Sequence, residues 1–476
     1  MTKQSKAILD PVHFIGIGGS GMTPLAEISL ERGLTVSGSD LKLNANTTRL
    51  QQMGAAIYDE HKAEHLKNVR TVVVSSAISE TNPELQAAKA LADCTVLHRS
   101  EYLAKLTTGH LLIAVAGTHG KTTTAALITH VLQTCQCHPT AAIGGEMLNY
   151  HRYSLTGHGD YFVIEADESD GSFLNYEPFI TLVNNIDLDH MDFFGTIEGT
   201  QQAFKAFMAK THKDGWLIVN WDDPLTFNTS HDFEGDRLTF GKRLGSEIRL
   251  LDRSYENGFL QYQVMAEHEN LHGQAQLMGA HNTQNILACI AVAKALELDI
   301  PQVLEAIASF KGVKRRLSLV YSDEQKNFLV YDDYAHNPVK ISACINALRE
   351  GYPQHELVVI FQPHRYSRLQ TMYNGFIEAF RSSRHVYILP VFAAGETNQG
   401  KIIMDQLRDD ISQKSQTSAT LLESFPNPAT LTSQRNASQK VVFLTVGAGD
   451  VNQFADALRD HLHEKTQDSA TKKEIT

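Results

Sequence analysis

The segment Ala114–Thr124, AVAGTHGKTTT, connects an apolar run to a glycine-rich turn and a row of threonines. Its Gly120–Thr122 portion completes the phosphate-loop pattern G-x-x-x-x-G-K-[ST], but Val115 stands where the first glycine of that pattern would be. The preceding run, His110–Ala116, predicts a buried strand. A strand that leads through such a turn into a helix predicts an α/β domain that holds a nucleotide phosphate.

The loop retains the groups that would contact phosphate. A lysine supplies charge to the β- and γ-phosphates, a threonine hydroxyl binds Mg²⁺, and backbone amides surround the phosphate oxygens. We therefore expect Lys121 to act in catalysis. The predicted nucleotide ligands in the loop are Gly117, Thr118, His119, Gly120, Lys121, Thr122 and Thr123.

Size and charge limit the class of protein. A chain of 476 residues, of which 42% are hydrophobic and 20% charged, predicts a globular protein, and at roughly 100–200 residues per domain it should have about three domains. The net charge of −12 opposes binding to nucleic acid. The five scattered cysteines indicate reduced thiols. Because neither a signal peptide nor a membrane-spanning apolar run is evident, we expect a cytoplasmic protein without a membrane partner.

Short β-rich runs alternate with helical patterns in three successive cycles, which predicts parallel sheets with crossover helices. The predicted fold is α/β with three domains in series: an N-terminal Rossmann-like domain (1–107), a central P-loop ATP-binding domain (108–318) and a C-terminal Rossmann-like domain (319–476). Residues 412–440 are predicted to be a surface connection, and residues from about 465 a frayed tail. The predicted strands are Val12–Ile17, Leu34–Ser37, Ala55–Tyr58, Val69–Val74, His110–Ala116, Tyr161–Ile164, Ile180–Val183, Trp216–Val219, Phe328–Tyr331, Leu357–Phe361, Val386–Leu389 and Val441–Val446.

A second glycine-rich turn follows the first strand. Gly16–Gly21 reads G-x-G-x-x-G, and Asp40 comes about 20 residues later, where a Rossmann acid would meet a ribose. Glycines let the backbone approach a pyrophosphate, whose charge then lies at the helix N-terminus. The turn therefore predicts a diphosphate site without specifying which diphosphate it binds.

Acidic residues follow a strand of the second cycle. Glu165 directly follows Tyr161–Ile164, at the strand end where a ligand crevice is expected, and His190 follows the next strand. Oxygen donors suit Mg²⁺, which usually keeps several waters. The predicted metal ligands are Thr122, Glu165 and His190. Three nearby acids are instead expected to start a helix or face solvent: Asp167, Glu168 and Asp170.

Together these motifs resemble the Mur ligase family. GTHGKTTT, EADESD, NIDLDHMD, GAHNTQN, FKGVKRRL, DDYAHNP and FQPHRYSR occur in the order of that family, after HFIGIGGSGM near the start. The resemblance covers residues 11–460, approximately. The family uses GTHGKT without a leading glycine, so Val115 fits its pattern.

The resemblance implies an ATP-dependent ligase of peptidoglycan precursor synthesis that forms a carbon–nitrogen bond through an acyl phosphate. It implies UDP-N-acetylmuramate, L-alanine and ATP as substrates, Mg²⁺ or Mn²⁺ as the metal, and a monomer or weak homodimer. The third domain of such enzymes closes over the ATP and brings the amino acid. By the same resemblance, the UDP-sugar ligands are Gly18, Gly19, Ser20, Gly21, Met22, Asp40 and Ser76.

The resemblance also assigns residues to ATP and to the amino acid. The further ATP ligands are His281, Asn282, Asn285 and Arg316, although a capped helix or a solvated basic face would explain them equally simply. The amino-acid ligands are Tyr334, His336, Arg365 and Arg368, with the two arginines expected to clamp the alanine carboxylate. The expected catalytic residues are Lys121, His190, His336 and Arg365. Asn337 replaces a histidine that is usual in the family, so proton transfer at that position is not expected.

Three alternatives remain open from the sequence. A recycling ligase would join a whole tripeptide to UDP-N-acetylmuramate with the same chemistry. A nicotinamide-dependent dehydrogenase would use the first turn and leave GTHGKTTT without a role. A P-loop ATPase would hydrolyse ATP without any UDP-sugar.

Overall fold

The structure is a computed structural model. It describes residues 8–187, 194–256, 258–266, 268–323, 327–398, 400, 402–433 and 439–474. The described strands form three β-sheets in succession along the chain, with helices between the strands, which confirms the predicted three-domain α/β architecture. By their internal contacts the residues divide into two compact units: 1–252, 262–273 and 284–310 in the first, and 253–261, 274–283 and 311–476 in the second.

The first sheet is parallel and Rossmann-like. Its elements are β1 (Val12–Ile15), α1 (Thr23–Glu31), β2 (Val36–Ser39), α2 (Ala45–Gln52), β3 (Ala56–Tyr58), a 3-10 helix (Ala63–Leu66), β4 (Thr71–Val74), α3 (Pro83–Ala90), β5 (Thr95–His98) and α4 (Arg99–Leu106). The strand order is β3-β2-β1-β4-β5, with all pairs parallel. The order reverses between β1 and β4, so the ligand crevice is expected at their carboxyl ends.

The second sheet has ten strands. Its elements are β6 (Leu111–Ala116), α5 (Lys121–Thr134), β7 (Thr140–Met147), β8 (Arg152–Leu155), β9 (Tyr161–Glu165), a 3-10 helix (Ser172–Asn175), β10 (Ile180–Val183), α6 (Ile197–Met208), β11 (Trp216–Asn220), α7 (Pro224–Thr229), β12 (Asp236–Gly241), β13 (Ile248–Glu256), β14 (Phe259–Ala266), β15 (Glu269–Ala275), α8 (Ala280–Ala295) and α9 (Ile300–Ser309). The strand order is β15-β14-β13-β12-β11-β10-β6-β9-β7-β8. Strand β6 lies between β10 and β9, parallel to both.

The third sheet has six strands. Its elements are β16 (Ser318–Ser322), β17 (Phe328–Asp333), α10 (Pro338–Gly351), β18 (Glu356–Phe361), α11 (Tyr366–Thr371), α12 (Tyr373–Phe376), β19 (His385–Ile388), α13 (Met404–Ser415), β20 (Ser418–Leu421), α14 (Pro428–Ser433), β21 (Val441–Val446) and α15 (Asn452–Glu474). The order is β16-β17-β21-β18-β19-β20, in which only the pairing of β16 with β17 is antiparallel among the strand pairs of the described residues.

Buried apolar side chains join the elements of each unit. One cluster continues from the first sheet into the second and includes Phe173, Phe204 and Phe207. The ring of Phe173 lies 5.3 Å from that of Phe204 and 4.8 Å from that of Phe207, measured between centroids. Burial of each such ring contributes roughly 1.5–3 kcal/mol. The two faces of the third sheet carry separate clusters, one of which packs α10 and the other α15.

Strand positions follow the sequence predictions closely, and two predictions about the C-terminal part are wrong. Ile180–Val183 and Val441–Val446 match their strands residue for residue. The stretch 412–440 contains β20 and α14 instead of being only a connection; β20 is a polar edge strand that pairs with β19, so its apolar pattern is weak. Residues 465–474 continue α15 instead of fraying, since they include neither proline nor glycine. No described helix is both long and apolar enough to cross a bilayer.

Candidate active site

Three neighbouring strands bring the predicted phosphate and metal residues together. The phosphate loop follows β6, Glu165 ends β9, and Asn184 and Asn185 follow β10. Since β9, β6 and β10 are adjacent and parallel, their carboxyl ends meet at one edge of the sheet. This edge is where sequence reasoning placed the nucleotide.

The phosphate loop is held from the neighbouring strand end. The Thr118 amide donates to the backbone oxygen of Asn185 (3.1 Å), and the His119 amide donates to Oδ1 of Asn185 (2.8 Å). Gly117 has φ +130° and Gly120 has φ +84°, conformations that L side chains rarely adopt. A Cβ on Gly117 would lie 3.0 Å from the backbone of Asn185. Two of the amides that were expected to face phosphate are therefore bonded to Asn185 instead. Asn185 fixes the loop, a role that sequence reasoning missed.

Lys121 is paired with a buried carboxylate. Its Nζ donates to the Gly117 carbonyl (2.7 Å) and to both carboxylate oxygens of Glu168 (2.8 and 2.7 Å). Glu168 is only 2% exposed, so its expected position in solvent or at a helix start is wrong. Burial raises the pKa of the Glu168 carboxyl, against the opposing effect of the Lys121 ammonium. Glu168 is thus a residue of the site. The sequence did not indicate this, because Glu168 lies three residues beyond the end of β9.

Thr122 and Glu165 present oxygen donors side by side. The Thr122 hydroxyl donates to Oε2 of Glu165 (3.0 Å), and the Gly144 amide donates to Oε1 (2.6 Å). His190, the third predicted metal ligand, lies outside the described residues. Among the described residues no group of three or more His, Cys, Asp or Glu side chains could hold a metal. A hydroxyl beside a carboxylate nevertheless fits Mg²⁺, which takes oxygen ligands and retains waters.

The start of α8 contributes residues to both units. In the first unit, Asn285 is 4% exposed, and its Oδ1 would lie 2.6 Å from a Cβ on Gly120, so the amide borders the phosphate loop. In the second unit, Asn282 is buried and donates through Nδ2 to the Met278 carbonyl (2.8 Å), which ties the first turn of α8 to the segment before it. His281 is exposed. The structure thus brings only Asn285 to the loop within one unit.

The N-terminal turn is shaped by Asp40. The Gly18 amide donates to Oδ2 of Asp40 (3.0 Å), and the side chain of Asn46 donates to the Gly18 carbonyl (3.1 Å). A Cβ on Gly18 would lie 2.7 Å from a methyl carbon of Thr47, so any side chain at this position would displace its neighbours. Asp40 therefore holds the turn, whereas the sequence predicted that it meets a ribose.

The remaining predicted UDP-sugar residues lie along the same edge of the first sheet. Gly19 accepts the amide of Met22 (3.0 Å) at the entry to α1. Met22 is 2% exposed and packs into the core, whereas Ser20 is exposed and Gly21 half-buried. Ser76 is exposed in the turn after β4. Because β1 and β4 are adjacent and parallel, Ser76 and the glycine-rich turn face the same crevice.

In the second unit, Tyr334 directly follows β17 and lies close to two arginines. The guanidinium carbon of Arg315 lies 4.9 Å from the ring centroid of Tyr334, and that of Arg316 lies 5.8 Å away. Nη2 of Arg315 donates to the Gly447 carbonyl (2.6 Å), and its Nε is 3.6 Å from Asp332. Arg315 is therefore anchored at the sheet edge, while Arg316, the predicted ATP ligand, is exposed.

The strand ends of β17 and β18 bring a second group of predicted residues together. The ring of His336 lies 6.3 Å from that of His364 between centroids, and Nη1 of Arg368 lies 2.8 Å from Nδ1 of His364. Nδ1 of His336 is 2.9 Å from the Tyr334 carbonyl, which can only accept, so that nitrogen carries the proton. Burial lowers the pKa of His336 to about 4. His336 is therefore a neutral imidazole at pH 7.

Arg365 has an unusual backbone. Its φ of +67° with ψ of 134° is rare for a residue with a side chain, and such strain is often found at functional sites. Its amide donates to the Phe392 carbonyl (2.9 Å), which holds this conformation, and its side chain is exposed.

Asn337 caps α10 by accepting the Lys340 amide at Oδ1 (2.9 Å), so this residue has a helix-capping role that histidine fills less well.

Sequence comparison matches nearly the whole chain to one family. Residues 11–110 match the Mur ligase family catalytic domain, residues 115–293 the Mur ligase middle domain, and residues 315–449 the Mur ligase glutamate ligase domain. The chain is 37% identical to the UDP-N-acetylmuramate–L-alanine ligase of Sulfurihydrogenibium sp. and 37% identical to that of Desulforapulum autotrophicum. Each alignment covers 95% of this chain and 98% of the relative.

Solved structures agree with that comparison. The crystal structure of the UDP-N-acetylmuramate-alanine ligase of Thermotoga maritima superposes with a TM-score of 0.81 at 29% identity, covering 95% of this chain and 99% of the other. The MurF ligase of the same organism, in complex with ADP, shares the fold at a TM-score of 0.60 and 16% identity, covering 90% of this chain and 96% of the other. The chain therefore belongs to the Mur ligase family, as its motifs indicated.

Proposed function

We propose that the chain joins L-alanine to UDP-N-acetylmuramate at the cost of ATP, giving UDP-N-acetylmuramoyl-L-alanine, ADP and phosphate for peptidoglycan precursor synthesis. The names of its relatives support the substrates, and family membership supports the ATP-dependent ligase chemistry. One observation carries the proposal: Lys121, Thr122 and Glu165 meet at the carboxyl ends of adjacent parallel strands. A cytoplasmic location fits the use of ATP and the five free thiols.

We assign the UDP-sugar to residues 1–107, ATP to residues 108–318 and the amino acid to residues 319–476. In the first step a muramate carboxylate oxygen attacks the γ-phosphorus of ATP, the bond to the β-phosphate oxygen breaks, and ADP leaves. Two anions meet in this step, so it requires positive charge. Lys121 supplies that charge, and the loop amides other than those of Thr118 and His119 orient the phosphates.

A divalent ion belongs to this step. Thr122 and Glu165, together with His190, would hold Mg²⁺, with Mn²⁺ as an alternative. When bound, Mg²⁺ supplies positive charge to the phosphate oxygens. Glu168 is assigned to Lys121 rather than to the metal, because both of its oxygens contact the ammonium.

The second step forms the amide. The neutral amine of L-alanine attacks the acyl carbon and a tetrahedral intermediate forms. Phosphate then leaves with the electron pair of the C–O bond and takes up the proton that the nitrogen loses. Arg365 and Arg368 bind the alanine carboxylate through guanidinium forks. The neutral ring of His336 offers the lone pair of Nε2 to the amine, and Tyr334 fixes the ring by accepting its Nδ1–H at the backbone oxygen.

Phosphate release tests the proposal. The purified chain is given Mg-ATP and UDP-N-acetylmuramate with either L-alanine or L-Ala-γ-D-Glu-meso-diaminopimelate. We expect release with L-alanine and little without the sugar nucleotide. Release only with the tripeptide would reassign the chain to the recycling reaction. Release that needs neither sugar nor amino acid would indicate an ATPase, and tight NADH binding without ligation would favour a dehydrogenase.

A further inference from the structure

An arginine that the predictions did not include lies against the N-terminal glycine-rich turn. Arg99 is the first residue of α4, and its guanidinium covers Gly21: a Cβ placed on that glycine would be 3.5 Å from Nη1 and 3.9 Å from Cζ of Arg99. The side chain is 23% exposed. A cation is thus held next to the turn that the sequence predicts for a diphosphate.

Two carboxylates hold this guanidinium from one side. Nη2 of Arg99 donates to Oδ2 of Asp167 (3.0 Å) and lies 3.8 Å from Oδ2 of Asp170. Both acids approach the same nitrogen, whereas Nη1 faces the turn. A guanidinium has five N–H donors in a fixed fork, so pairing on one side orients the other.

Two helices begin beside the glycine-rich turn. Helix α1 begins at Thr23, just beyond the turn, and α4 begins at Arg99 itself. Helix N-termini carry partial positive charge and repel a cation. The two helix starts and Nη1 of Arg99 lie on the Gly21 side, whereas Asp167 and Asp170 lie on the Nη2 side.

We propose that Arg99 binds the diphosphate of the sugar nucleotide through Nη1, with Asp167 as the residue that positions the guanidinium. The inference rests on the proposed function, since that function supplies the diphosphate. Asp167 directly precedes Glu168, the partner of Lys121, so the same acidic loop contacts the arginine of one phosphate-binding turn and the lysine of the other.

Calorimetric titration of the full chain with UDP and with UMP tests the proposal, because the two ligands differ only in the second phosphate. Arg99→Gln should weaken UDP binding about 10- to 100-fold, the value of one or two charge-assisted hydrogen bonds. UMP binding should change less than about twofold by comparison. Arg70→Gln is the matched control: Arg70 is exposed at the opposite, amino-terminal edge of the same sheet.

Arg99→Lys keeps the charge but removes the fork, so it should weaken UDP binding by an intermediate factor; it serves as the test if the glutamine variant does not fold. ADP binding by each variant verifies that the fold is intact. A wild type that binds no UDP would refute the proposed substrate. If the wild type prefers UDP over UMP and Arg99→Gln keeps the same preference, the role of Arg99 is overturned while the proposed function stands. Equal losses of UDP and UMP binding in the variant would have the same meaning.

Discussion

Lys121 and Glu168 form a bidentate ion pair in which both carboxylate oxygens lie within 2.8 Å of the ammonium nitrogen. An ammonium has three N–H donors, and the third is bonded to the Gly117 carbonyl. Every donor of the phosphate-loop lysine is therefore used inside the protein. A phosphate oxygen can bind Lys121 only after at least one of these bonds breaks.

Removal of the Lys121 charge should abolish ligation and spare the sugar nucleotide. We expect Lys121→Ala to lower kcat by at least about 100- to 1,000-fold, the cost of losing one preorganised transition-state donor. UDP binding, measured by calorimetry, should stay within about twofold, because the glycine-rich turn follows a strand of a different sheet from the strand that precedes Lys121. Equal losses of ligation and UDP binding would show that the two ligands are assigned to the wrong domains.

Removal of the Glu168 charge should have the opposite effect on nucleotide binding. Glu168→Gln keeps an oxygen that accepts from Lys121 but no longer competes with phosphate as an anion. We expect calorimetry to show ADP bound about five- to tenfold more tightly, close to 1 kcal/mol. Glu198→Gln, an exposed change at the start of α6, is the control. Unchanged or weaker ADP binding by the variant would contradict the competition between Glu168 and phosphate.

The amino-acid clamp predicts a selective defect. Arg365→Ala should raise the KM for L-alanine by about 10- to 100-fold, because a charge-assisted hydrogen bond contributes about 1.5–3 kcal/mol. The KM for ATP should change little. Steady-state kinetics measure both constants, with Arg381→Ala as control, since Arg381 is 63% exposed and pairs with Glu378 at the surface. An unaltered alanine dependence would remove Arg365 from the clamp.

His130 should make stability depend on pH. Its ring is 6% exposed and contacts Tyr150 and Ser309, and burial lowers its pKa to about 4. Between pH 4 and the ordinary histidine pKa near 6.5, His130 is protonated in the unfolded chain but neutral in the folded one. The folded state therefore has its full stability above pH 6.5 and loses stability as pH falls toward 4. The free energy of unfolding should fall by about 2 kcal/mol from this group between pH 7 and 5.

Denaturant titrations at the two pH values measure that difference. His130→Gln removes the titrating group, so the variant should lose less stability than the wild type when pH falls from 7 to 5. His151→Gln is the matched control, because it makes the same substitution at an exposed histidine. The same acid sensitivity in His130→Gln and wild type would refute this assignment.

Much of the fold could be predicted because the parallel strands are buried apolar runs bounded by glycine and polar turns. Ile180–Val183 is buried at all four positions, and its boundaries follow directly from composition. The edge strand β20 could not be predicted, since it is short, polar and stabilised by pairing with β19. Propensity alone gives no information about that pairing.

Some residues of the candidate site could likewise be predicted from the sequence, and others could not. Lys121 and Thr122 come from a contiguous motif, and Glu165 from its place at a strand end, so sequence reasoning located them. Glu168 and Arg99 were missed because their roles depend on partners 47 and 68 residues away in sequence. Such pairings are set by strand order, which the sequence pattern does not specify.

The transfer of an oxygen atom tests the central claim most directly. UDP-N-acetylmuramate labelled with oxygen-18 in its carboxylate is incubated with Mg-ATP, L-alanine and the chain, and the released phosphate is analysed by mass spectrometry. If the carboxylate attacks the γ-phosphorus, each phosphate released carries one carboxylate oxygen, and the label appears in phosphate in step with amide formation. Amide formation with unlabelled phosphate, or without consumption of ATP, would contradict the acyl-phosphate account.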